Sequence, residues 1–147
     1  MENGKYDSLK LKNQLCFPVY SAARHIIRLY TPYLKKLNLT YTQYVTMMVL
    51  WEEKQSNLKD LGKKLYLDSG TLTPLLKELE KKGYVNRCRL EGDERFLSIS
   101  LTPEGEALKD KALHIPKEMT KCVCLTKEES LELYHLMYKL LSVVKED

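Results

Sequence analysis

The sequence predicts a mainly α-helical chain with one small β-hairpin, on three observations. First, Leu72, Leu75, Leu76 and Leu79 fall at i, i+3, i+4 and i+7, one face of a helix. Second, a strand-turn-strand pattern follows directly, from Tyr84 to Leu101. Third, long apolar helical stretches lie at both ends of the chain, outside the part that this helix and hairpin need for a core.

The central helix is bounded by its own chemistry. Asp68 or Ser69 can cap it, and Gly83 stands where a helix usually stops. Its second face carries Gly70, Pro74, Lys77 and Lys81. Small residues at the start let another backbone approach, and hydroxyls on Ser69 and Thr71 with free N–H groups suit phosphates and base edges. Pro74 is tolerable because it lies near the helix start. Tyr84 to Leu90 reads as a strand, Glu91 to Glu94 as turn chemistry, and Arg95 to Leu101 as a half-buried strand with Leu97, Ile99 and Leu101 inward. Helix then hairpin is the second half of a winged helix-turn-helix. Arginines at Arg87, Arg89 and Arg95 suit an electronegative minor groove. An ordinary amphipathic helix beside a surface hairpin has the same periodicity, so periodicity alone leaves both readings open.

Taken from the start, residues 11–37 read as helix, with Asn13 as N-cap and a broad apolar face of Leu15, Val19, Ala22, Ala23, Ile26, Ile27 and Tyr30. Pro18 is expected to kink it, and Pro32 to separate a short turn at 33–37. Thr40 to Gln43 is a capping box that opens the next helix, which is apolar nearly all round and ends near Glu53. Gln55-Ser56-Asn57 reads as a connection, and Leu58, Leu61 and Leu65 as a short helix. A tight turn at 66–69 then leads into the central helix, giving the helix-turn-helix order. Thr102-Pro103 caps a further helix, expected to reach about Ile115 before Pro116 stops or kinks it. Thr126 to Glu129 is a second capping box, opening a last helix to about Lys145 that is apolar on more than one face.

Bulk numbers set outer limits. The chain has 147 residues and a net charge of +4, enough for one domain and only mildly basic. Between Lys77 and Arg95 stand six basic and five acidic residues, so placement of charge matters more than its amount. No apolar signal-peptide core opens the chain and no run is long enough to span a membrane, so a cytoplasmic protein is expected. Four cysteines in a reducing compartment are hydrophobes, metal ligands or redox groups rather than a disulfide framework. Cys16 would sit in the first helical turn, where the dipole favours a thiolate able to attack a peroxide. An isolated cysteine on an apolar helix is more often a small core residue, and residue chemistry alone favours that. Cys122 and Cys124, with His114 or His135, make only a weak metal pattern.

Asp68-Ser69-Gly70-Thr71-Leu72-Thr73-Pro74-Leu75-Leu76 and Asp93-Glu94-Arg95 closely resemble the recognition helix and wing of MarR-type (multiple-antibiotic-resistance regulator) repressors. Asn13-Gln14-Leu15-Cys16-Phe17 and Leu39 to Tyr44 are similar to the organic-hydroperoxide sensors of that family, often called OhrR. The likeness runs from about Leu11 to Pro116, with several motifs in order at similar spacing.

The resemblance implies a single domain over 1–147, with dimerisation helices at 8–37 and 103–145 and a DNA-binding lobe at 40–101. It implies a homodimeric repressor that holds an inverted-repeat operator and releases it when an organic hydroperoxide oxidises Cys16. Tyr30 and Tyr41 would reach that thiol from the partner, with Tyr20 nearby at i+4. Cys122 or Cys124 would resolve the sulfenic acid as an intersubunit disulfide, or neither would. Major-groove contacts would come from the helix start at Asp68, Ser69, Gly70, Thr71, Thr73 and Pro74, and from Lys77. Arg95, steadied by Asp93, would enter the minor groove, and Arg87 would meet phosphate. Glu78 departs from several relatives, which carry a basic residue there. Cys88 is taken as structural.

The apolar terminal helices independently point to a two-fold dimer, since the central lobe leaves them little to cover. No cofactor, metal or membrane partner is expected. Two alternatives stand beside the redox repressor. One is a repressor released by a small phenolic ligand, with Cys16 incidental. The other is a thiol peroxidase, disfavoured because no C-x-x-C motif or nucleophile-base grouping accompanies Cys16.

Overall fold

The computed structural model describes residues 4–89 and 96–143. The chain forms two compact units, Met1–Ile115 and Pro116–Asp147. The first holds α1 (Cys16–Lys36), α2 (Tyr41–Glu53), β1 (Gln55–Asn57), α3 (Leu58–Leu65), α4 (Ser69–Lys81), β2 (Val85–Arg89), β3 (Leu97–Leu101) and α5 (Pro103–Ala112). Helix α6 (Ile115–Cys122) spans the boundary and α7 (Lys127–Val143) lies in the second unit. This is the expected mainly helical winged helix-turn-helix, with α3 and α4 as its two helices.

The capping residues act as predicted. Thr40 and Gln43 bond each other's backbone N–H groups at the start of α2. Asn57 accepts from Asp60 N at 2.9 Å and opens α3. Thr102 Oγ1 accepts from Gly105 N at 3.0 Å, with Pro103 as the first helical residue of α5. Thr126 and Glu129 complete the second box, at 2.8 and 3.2 Å. Gly83, at φ +79°, takes the left-handed conformation that ends α4.

Four expectations change. Helix α1 begins at Cys16 behind Leu15, and Asn13 is not its cap. Asn13 instead lies in a 3-10 turn, its side chain bonded to the Asp7 carbonyl at 2.6 Å. Pro18 is therefore the third residue of the helix, where a missing N–H costs no intrahelical bond. Pro32 lies inside α1 without dividing it. Gln55–Asn57 is a strand, not a plain connection. It pairs antiparallel with β3, Ser56 opposite Ile99, so the sheet order is β1-β3-β2. Its polar residues show no alternation, and only the partner strand makes it β. Finally, α5 ends at Ala112 and α6 starts at Ile115. Pro116 is the second residue of α6, a position near a helix start where its missing N–H costs no intrahelical bond.

The core of the first unit gathers under α4. Leu72, Leu76, Leu79, Leu61, Met47, Leu50, Val85 and Ile99 are almost wholly buried. Trp51 donates to the Gly105 carbonyl at 2.9 Å and ties α2 to α5. Gly105 also lies against the Tyr84 carbonyl so closely that an added Cβ would overlap it. Gly105→Ala is expected to destabilise the fold by about 1–3 kcal/mol or more, read as a lower midpoint in urea unfolding.

Candidate nucleic-acid interface and thiol site

The outward face of α4 is built by its buried one. With Leu72, Leu75, Leu76 and Leu79 turned inward, Ser69, Gly70, Thr71, Pro74 and Lys77 are left exposed and Thr73 half-buried. Asp68 caps the helix, accepting from Thr71 N at 2.8 Å and from Thr71 Oγ1 at 3.0 Å. Thr71's hydroxyl proton is therefore used within the chain. Pro74 lacks an N–H, so it gives no helical bond to the Gly70 carbonyl. The start of α4 thus presents small residues and hydroxyls together.

The wing is only partly described. Asp93 and Arg95, the expected minor-groove pair, and the turn at 91–94 lie outside the described residues. Arg87 is differently engaged from the expectation. Its Nε bonds Glu80 Oε2 at 2.9 Å, its Nη2 reaches the same oxygen at 2.8 Å, and its backbone N–H bonds Glu80 Oε1 at 3.1 Å. The guanidinium therefore holds β2 against α4. Arg89, two residues on, is exposed. The Glu80 partner could not be found from sequence, because nothing in the spacing says which acid faces Arg87. Cys88 is exposed on β2, in register with Ser98.

Cys16 is the first residue of α1, exposed and free. No side chain caps that end of the helix. Tyr20 lies one turn on, but its hydroxyl accepts from Arg24 Nη1 at 3.3 Å, with the guanidinium 5.4 Å from the ring centroid. Tyr30 is 14 residues beyond Cys16 on α1, about 21 Å along the axis. One chain therefore does not bring its own Tyr30 to its own thiol.

Tyr30 does meet Tyr41, ring centroids 4.9 Å apart and edge to face. Tyr44, which sequence reasoning passed over, lies 5.9 Å from Tyr30 and 6.5 Å from Tyr41. Burial pushes all three phenols above their usual pKa, and their mutual charge adds to the shift for Tyr30 and Tyr44. They stay protonated as donors across the physiological range. Beside them a groove of about 330 Å³ is lined by Ile27, Thr31, Leu34, Lys35, Leu39, Thr40 and Tyr41.

Cys122 and Cys124 are exposed and free, at and just beyond the end of α6. Among the described residues no group of three or more His, Cys, Asp or Glu could hold a metal. No described helix is long and apolar enough to cross a membrane.

A helix-turn-helix with a wing, a polar helix face and a capped, open helix start defines a DNA-binding regulator. The SarA/Rot transcriptional-regulator family matches residues 28–112. The chain is 45% identical over 144 residues to the organic hydroperoxide resistance transcriptional regulator of Bacillus subtilis, covering 98% of this chain and 97% of that one. It is 52% identical over 105 residues, 71% of each chain, to the HTH-type transcriptional regulator SarZ of Staphylococcus aureus. The structure of reduced AbfR bound to DNA matches it with a TM-score of 0.78 at 34% identity, over 97% of this chain and 99% of that one. The protein belongs to the SarA/Rot-type transcriptional regulators, winged-helix proteins of the MarR kind.

The Asp68 cap sets a pH dependence for the start of α4. Backbone and side-chain bonds from Thr71 hold its carboxyl below the usual range. The cap's contribution is thus full above the unfolded carboxylate pKa and is lost as pH falls through the lower folded value. Hydrogen exchange at the Thr71 amide should accelerate on acidification beyond its intrinsic trend, and Asp68→Asn, which caps without titrating, should remove that excess.

Proposed function

We propose that the protein is a homodimeric repressor that holds an inverted-repeat operator while Cys16 is reduced and lets go when an organic hydroperoxide oxidises it. The observation that carries this is the exposed Cys16 at an uncapped helix start, in a chain similar over nearly its whole length to an organic hydroperoxide resistance regulator. Such a protein works in the cytoplasm, where its DNA is.

The dimer rests on apolar surface. Leu15, Phe17, Val19 and Ile27 on α1 are exposed, and α7 buries none of its residues although it carries Leu131, Leu133, Leu136 and Leu140. Segments 8–37 and 103–145 serve as the dimerisation helices and 40–101 as the DNA-binding lobe. A two-fold pairing covers the apolar surface and sets the recognition helices about one DNA turn, roughly 34–36 Å, apart. Ser69, Gly70, Thr71, Thr73, Pro74 and Lys77 then meet the major groove, Lys77 through a phosphate along it, and Asp68 holds that helix start. Arg95, with Asp93, enters the minor groove.

The chemistry is stoichiometric. The Cys16 thiolate attacks the outer peroxide oxygen, the O–O bond breaks, an alcohol leaves, and the sulfur becomes a sulfenic acid. Tyr30 and Tyr41 of the partner subunit donate to the thiolate, since one chain cannot bring them there. A thiol, Cys122 or Cys124 or a small molecule, then displaces water to give a disulfide. The changed sulfur lies among the helices that set recognition-helix spacing. Sustained peroxide turnover is not expected, so the protein is a switch and not an enzyme.

A second reading has one observation in its favour, the largely apolar groove beside Tyr41 with Lys35 on its rim. A phenolic ligand there could set the same helices, and Cys16→Ser separates the two. Binding should be measured at fixed salt to an inverted-repeat duplex selected by the reduced protein from a random pool. Stoichiometric cumene hydroperoxide should release wild type but leave Cys16→Ser bound; if both stay bound, thiol sensing is wrong. A DTT-reversible dimer cross-link, lost in either Cys122→Ser or Cys124→Ser, identifies the resolving thiol. Lys77→Ala should weaken binding to every duplex alike and lower the salt slope by about one.

A further inference from the structure

The side chain of Lys82 joins the start of α2, where Tyr41 stands, to the far end of the recognition helix. Lys82 follows α4 directly and caps its C-terminus. Its ammonium donates to the Asn38 carbonyl at 2.7 Å and to Gln43 Oε1 at 2.8 Å. That Gln43 oxygen also accepts the Thr40 N–H at 3.1 Å, as half of the capping box of α2. Gln43 is only 6% exposed, so this charge-assisted bond is partly shielded from water. Tyr41 is the first residue of the helix so capped.

The same elbow is held at a second point. Tyr84, two residues after Lys82, donates its hydroxyl to the Leu37 carbonyl at 3.2 Å. Leu37 and Leu39 are buried on either side of Asn38, which itself adopts a left-handed φ of 54°. The elbow between α1 and α2 is thus fixed from below by leucines and from the side by Lys82 and Tyr84. The positive charge also lies at the C-terminal end of α1, where the dipole favours it.

The geometry points to Lys82 as the positioning residue that couples the Tyr30–Tyr41 cluster to the recognition helix. The coupling rests on the thiol-switch reading above for its signal, though the strut itself does not. A shift of Tyr41 moves the first turn of α2, and Gln43 in that turn carries Lys82 and the end of α4 with it. The link is between two rigid helix ends, so small displacements pass along it rather than being absorbed in a loop. Because coupling between two sites is reciprocal, DNA held by α4 must in turn steady the start of α2.

The experiment compares wild type with Lys82→Met, which keeps the stem and removes the donor while Gln43 retains its bond to Thr40. Lys82→Gln replaces it if the methionine variant does not fold. Hydrogen exchange at residues 38–44 is measured in the reduced proteins, free and saturated with the selected duplex. Operator should slow exchange there in wild type and not in the variant. After stoichiometric cumene hydroperoxide, the loss of operator affinity in the variant should be smaller than in wild type by roughly tenfold. Equal operator-induced slowing in the two proteins overturns the inference, as does the absence of slowing in wild type. An unchanged oxidation response in the variant overturns it too. If wild type ignores the hydroperoxide, the thiol-switch reading falls, and the exchange comparison alone decides on Lys82.

Discussion

The burial of the α4 leucine stripe is the constraint on which the rest depends. Leu72, Leu76 and Leu79 are fully enclosed, and Leu75 nearly so, against side chains of the neighbouring helices and sheet. Each such side chain contributes about 1.5–3 kcal/mol relative to exposure. Rotating α4 by even a third of a turn would bring these groups into water. That cost fixes which residues face outward, and so fixes Ser69, Gly70, Thr71, Pro74 and Lys77 on the side available to DNA. The surface proposed to meet DNA is the complement of the core.

The polar contacts around α4 then fix its ends and not its axis. Asp68 sets the first turn, Glu80 with Arg87 ties the last turns to the wing strand, and Lys82 ties the end of the helix to the α1–α2 elbow. These bonds are exposed or half-buried and each is individually modest. Their value is positional. They tie the helix to the wing strand and to the first turn of α2, and the proposed route from the tyrosines to DNA runs through those ties.

The terminal helices follow a different logic. Their leucines and tyrosines are exposed in a single chain, and exposed apolar surface on that scale marks an interaction site. Cys16 and Tyr30 stand about 21 Å apart on one helix, so the thiol site proposed above would need a second chain to complete it. Stability and chemical competence would therefore arise together, when two chains meet.

Much of this was legible in the sequence where the physics is local. The capping boxes at Thr40 and Thr126, the Asp68 and Thr102 caps, the Gly83 stop and the leucine period each act within a turn or two of the chain. Spacing alone fixes them, and with them the order helix, turn, helix, hairpin. Spacing shows the break before Pro116 to within a turn, but not that Asn13 belongs to a preceding 3-10 turn or that α1 passes through Pro32, because both depend on what the neighbouring segments accommodate. Strand β1 became visible only beside β3, 43 residues away in register, since its own residues carry no period. Only the tertiary structure decided that Arg87 belongs to Glu80, that Tyr44 completes the tyrosine cluster, and that Lys82 spans to Gln43, 39 residues back. Such pairs are chosen by which surfaces the core brings together, and a side chain's partner across that distance has no trace in the spacing of its own segment.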